Sequence, residues 1–195
     1  MEAHILSVYL KLGIDHILDV KGYDHILFIL VLTSIYSFKD WKKILWIITA
    51  FTLGHSITLV LASFQIVKIN PDLIETLIPV TIIITGIFQI YRTYLPSTSD
   101  NGMMVSYMLT CFFGLIHGLG FSNYFQVILG AESDILKPLL AFNVGVEIGQ
   151  VFIVFCSLLL GSLWMMYFQC SQNFWTRIVS ILTTIMATYL LFEGQ

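Results

Sequence analysis

Long apolar runs separated by brief charged turns leave this chain few ways to fold. Five stretches reach the ~20 residues that a helix needs to cross a hydrocarbon core, and a sixth is shorter. Apolar residues make up 57% of the 195 and charged residues 11%, against about 25% charged in a soluble domain. Most of the surface must therefore face lipid, where every backbone N–H and C=O has to be paired within the chain. The expectation is an all-α, polytopic membrane helix bundle forming one domain over 1–195. It has about six transmembrane helices, at 23–38, 41–65, 71–94, 103–129, 135–168 and 174–192. Asn70 and Pro71 suit the N-cap and first position of the third span.

The stretch 4–20 reads differently. Ile5, Leu6, Val8, Tyr9, Leu12 and Ile17 recur at helical spacing, while Lys11, Asp15 and Asp19 fall on another face. That is the pattern of a helix lying along the membrane interface. Polar residues interrupt the start too early for a cleaved signal, so the mature chain is expected to begin near Met1. Lys39, Lys42, Lys43, Arg92 and Arg177 fall on one side of the membrane, and Lys11, Lys21, Lys68 and Lys137 on the other. The lysine cluster after the first span makes that side cytoplasmic, with both termini outside. Polar breaks at Ser97–Gly102 and Glu132–Asp134 separate the later spans. A net charge of −3 with nine Lys and Arg argues against nucleic acid as a partner. Three scattered cysteines, an odd number, exclude a disulfide scaffold.

Ionisable side chains inside a bilayer cost about 2.5–3.5 kcal/mol each on insertion scales and mark a cavity or a bundle interior. This chain has several. Asp24 and His25 open the first span, with His16 just before it; His55 and Ser56 lie in the second. Glu75 is in the third, His117 in the fourth, and Asn143, Glu147 and Gln150 in the fifth. Asn143, Glu147 and Gln150 share one helix face, and Gly145 and Gly149 have the spacing of close helix contacts. Given the alternation of spans, all the ionisable residues fall between the bilayer centre and one leaflet. Charges placed only for solubility would scatter over both halves, so one shared polar site is the better account. Phe51–His55 and Phe113–His117 also share the pattern F-x-L-x-H, in spans that run in the same direction.

Imidazole and carboxylate together suit a borderline divalent ion: nickel, zinc, cobalt or iron. The candidate metal ligands are His16, Asp24, His25, His55, Glu75, His117 and Glu147, with Ser56, Asn143 and Gln150 as polar neighbours of a substrate. Two functions use such a set. One is transport of the ion itself. The other is a zinc-type intramembrane hydrolase, in which the metal activates water and Glu147 or Glu75 serves as catalytic base. It would act on a lipid or membrane-embedded peptide reached from one leaflet. No H-E-x-x-H motif is present. Membrane lipid and the divalent ion are the expected partners, and assembly into an oligomer is compatible with the sequence.

The strings at 13–30 (GIDHILDVKGYDHILFIL), 51–62 (FTLGHSITLVLA), 113–121 (FGLIHGLGF) and 142–150 (FNVGVEIGQ) resemble the HupE/UreJ family of bacterial membrane proteins. With seven residues between His16 and Asp24, the chain is more similar to that family's second, broader branch. The resemblance implies six or seven membrane helices, a place in the bacterial inner membrane, and uptake of a nickel- or cobalt-type ion. By motif position it also implies metal handling by His16, Asp24, His25, His55, Glu75, His117 and Glu147.

Overall fold

The computed structural model describes residues 2–67, 70–95, 100–130 and 135–193, with the side chains of residues 2, 3, 5 and 100–102 excepted. Lys68, Pro96–Ser99 and the loop residues Glu132–Asp134 lie outside the described residues. Among the described residues, seven α-helices account for nearly all the secondary structure: α1 (Glu2–Ile17), α2 (Asp24–Thr33), α3 (Trp41–Ser63), α4 (Pro71–Arg92), α5 (Asp100–Leu129), α6 (Leu136–Phe168) and α7 (Gln172–Glu193). A single 3-10 turn, Phe38–Asp40, leads into α3. The helices α3 to α7 are each long and apolar enough to cross a membrane. Asn70 caps α4 as its sequence suggests: Oδ1 accepts from the Asp72 N–H at 3.0 Å, with Pro71 following.

Two parallel helix pairs build the half of the bundle that matters for function. In the first pair, α3 and α5 approach so closely that a Cβ at Gly54 would run into the Cys111 carbonyl oxygen. A Cβ at Gly114 would likewise run into the Phe51 carbonyl oxygen. The second pair, α1 and α6, repeats this reciprocal contact: Gly13 faces the Phe142 carbonyl and Gly145 faces the Leu10 carbonyl. Without side chains at these crossings the backbones can touch, and dispersion and weak Cα–H···O contacts replace a hydrophobic drive that lipid cannot supply. The two F-x-L-x-H stretches therefore lie side by side in parallel helices.

The amphipathic pattern of α1 is present, with Lys11 and Asp15 exposed and ion-paired. Its apolar face is covered by α6 and by the end of α5, where the Tyr9 hydroxyl reaches the Ile128 carbonyl. Along α6 the contacts run in order. Gly145 meets Leu10, Gly149 meets Ile17, and Ser157 meets Thr33 at the end of α2, with 3.3 Å between hydroxyls. The helices α1 and α2 thus follow α6 in one direction as two half-helices, with a break at 18–23 between them.

The short first span is explained by that break. Ten residues of α-helix measure about 15 Å, half of a ~30 Å hydrocarbon core, so the carbonyls at the end of α2 need partners inside the bundle. Gln89 Nε2 donates to the Leu32 carbonyl at 2.7 Å. Gln172 Nε2 and Thr176 Oγ1 donate to the Ser34 carbonyl at 2.6 and 2.9 Å. The start of α2 is left at the interior break, together with Asp24 and His25.

A candidate metal centre at the break in the first traverse

Four helices deliver one imidazole each to the same place. Contact at Gly54 and Gly114 sets His55 on α3 beside His117 on α5, and the end of α1 carries His16 in against them. The start of α2 supplies His25. Ring centroids of His16 and His25 are 4.7 Å apart, those of His25 and His117 are 5.1 Å apart, and those of His16 and His55 are 5.8 Å apart. His25, His55 and His117 are buried, with His55 at 0% exposure. Phenylalanine rings close the surroundings: Phe121 lies on His16, Phe142 stacks on His55, and Phe28 and Phe51 flank His117.

Two overlapping groups have the spacing of metal ligands. One ligand atom each from His16, His25 and His55 fall within 4.8 Å of one another, as do atoms of Asp24, His25 and His117. His25 belongs to both.

Hydrogen bonding determines which ring nitrogens are free. Asp24 Oδ1 lies 3.2 Å from His25 Nδ1. A carboxylate can only accept, so Nδ1 carries the proton and Nε2 keeps its lone pair. Thr81 Oγ1 lies 3.0 Å from His117 Nε2 and donates its own proton to the Ile78 carbonyl at 2.7 Å. Nε2 of His117 is then the donor, and Nδ1 is left with a lone pair. His25 Nε2 and His117 Nδ1 are buried without a hydrogen-bond partner, and so are His16 Nε2 and both nitrogens of His55. Leaving a buried polar atom unsatisfied costs about 1–3 kcal/mol. A metal ion bound by these lone pairs would remove that cost.

The remaining candidates divide. Glu75 is exposed and lines a cavity of about 180 Å³ with His16, Asp24, His25 and His117. Asn143 is buried with an unpartnered Oδ1, and its amide neighbours His55. Gln150 accepts from Thr52 Oγ1 at 2.8 Å. Ser56 donates to the Thr52 carbonyl of its own helix at 2.6 Å. Glu147 is half-buried, accepts from Thr49 Oγ1 at 2.6 Å, and is in neither ligand group. Thr81 carried no signal in the sequence, where one threonine in an apolar helix is unremarkable. Its role depends on facing His117 from α4.

No curated protein and no solved structure matches the chain. A family model described as HupE / UreJ protein matches residues 1–194, which spans all four histidine-bearing helices and the remainder of the bundle. The chain belongs to the HupE/UreJ family.

Proposed function

We propose that this protein takes up a divalent transition-metal ion of nickel or cobalt type, and that the four-histidine centre is where the ion is held on its way through the membrane. Family membership supports metal handling. The observation that carries the reading is the set of buried, partnerless imidazole nitrogens gathered from four helices. Neutral imidazole suits nickel, cobalt and zinc far better than magnesium or calcium. Three-atom groups that overlap in His25 also fit a cargo that must leave again, since a carrier cannot hold its ion too tightly.

Orientation supports uptake. Lys39, Lys42 and Lys43 lie at the end of the bundle where Arg92 bonds the Tyr36 hydroxyl and Arg177 bonds Thr93. With that end cytoplasmic, in the inner membrane, the cavity above the histidines opens outward. Of the two carboxylates a hydrolase would use as base, Glu147 is engaged by Thr49 outside both ligand groups and Glu75 lines the cavity beside the histidines; family membership favours uptake.

The test is uptake of Ni²⁺ and Co²⁺ into proteoliposomes carrying the wild-type chain or the His25→Ala or His55→Ala variant. Saturable uptake that falls at least tenfold in both variants is expected. Uptake no faster than in protein-free liposomes, or unchanged in both variants, would overturn the proposal.

A further inference from the structure

We propose a second, outer cation site, built of carboxylates, that receives the hydrated ion before the histidines strip it. This rests on the uptake reading above. The 180 Å³ cavity at the histidines is lined also by Asp19, Asp24 and Glu75. A second cavity of about 330 Å³ shares Asp24 and Glu75 with it, and adds Glu193 from the end of α7 and Lys21 from the break. Four carboxylates against one ammonium thus line a continuous recess. Its inner part is bounded by His25 and His117, whose buried Nε2 and Nδ1 have no partner.

Size and ligand type differ between the two levels. Six waters at ~30 Å³ each occupy on the order of 180 Å³, so a hydrated divalent ion fits the outer cavity. In the inner cavity the imidazoles of His16, His25 and His117 are at hand to replace that water. Oxygen ligands accept magnesium and calcium as readily as nickel or cobalt, whereas imidazole selects the latter, and Mg²⁺ gives up its water reluctantly. Hard ions therefore stop at the outer site. They compete with the cargo for entry and are not carried. Exposed carboxylates also raise the local cation concentration, an effect that salt screens.

Uptake of Co²⁺ into proteoliposomes, at millimolar and at zero Mg²⁺, tests this with the Asp19→Asn/Glu193→Gln double variant. Visible absorption of bound Co²⁺ reports the histidine site separately. The expected result is a three- to tenfold higher KM for Co²⁺, an unchanged maximal rate and Co²⁺ spectrum, and loss of most of the Mg²⁺ competition. Lys21→Gln should act oppositely and lower KM. Wild-type KM and Mg²⁺ competition in the double variant, with uptake and spectrum intact, would overturn the outer site and leave the uptake reading standing. Absence of both uptake and spectrum in the wild type would overturn both.

Discussion

Thr81 on α4 accepts a hydrogen bond from His117 on α5, 3.0 Å from Oγ1 to Nε2, while its own proton is committed to Ile78. One hydroxyl thereby fixes both the tautomer and the tilt of a ring three helical positions beyond the glycine contact that seats α5 on α3. Partners of this kind typically carry 10–100-fold of metal affinity.

Thr81→Val keeps the shape and removes the acceptor. Co²⁺ affinity in detergent should fall by about 10–100-fold, and Thr81→Ser should restore most of it. A valine variant that binds Co²⁺ as the wild type does would show that His117 needs no such partner.

The direct ligands should be more sensitive still. His55→Ala and His117→Ala, measured by metal titration and elemental analysis, should each lower bound metal at least as far as Thr81→Val does. Unchanged stoichiometry and affinity in both would remove the centre from consideration. His4, outside the cluster in sequence and exposed, is the internal control: His4→Ala should bind as the wild type.

Much of this was legible in the residues, and what was not has physical reasons. Hydropathy finds α3 to α7 because a span needs length and apolarity alone. The grouping of His16, Asp24, His25, His55 and His117 follows from their depth, which alternating spans impose. Glu147 shares that depth but not the place, since depth does not say which way a helix turns its face; rotation of α6 gives Asn143 to His55 and Glu147 to Thr49. The spacing over 4–20 predicts an interfacial helix, and the structure ends that helix at Ile17 and packs it on α6. Amphipathic spacing looks the same whether the apolar face meets lipid or another helix; the contacts of Gly13 with the Phe142 carbonyl and of Gly145 with the Leu10 carbonyl are what set α1 against α6.

Those glycine contacts should be the bundle's least tolerant positions. Gly54→Ala and Gly114→Ala push a methyl into the facing backbone carbonyl, which cannot yield as a side chain would. Overpacking of this kind costs about 1–3 kcal/mol. Thermal unfolding in detergent should drop by roughly 3–10 °C, together with weakened metal binding because His55 and His117 ride on the same two helices. Gly120→Ala provides the contrast: its methyl would meet the end of the Ile78 side chain at 3.0 Å, a flexible group, and should shift unfolding little.

Glu147 gives a prediction in the opposite sense. It resembles a ligand in sequence, sitting on the polar face of α6 with Asn143 and Gln150. In the structure its carboxylate is satisfied by Thr49 and belongs to neither group of metal-spaced atoms. Glu147→Gln can still accept that hydrogen bond, so Co²⁺ affinity should stay within about twofold of wild type and the melting temperature should be nearly unchanged. Glu147→Ala removes the acceptor and leaves the Thr49 hydroxyl without its partner between α3 and α6, so it should destabilise the protein by about 1–3 kcal/mol with the bound Co²⁺ spectrum retained. A tenfold or greater loss of Co²⁺ affinity in the glutamine variant, with stability preserved, would place Glu147 at the ion and require α6 to rotate during the transport cycle.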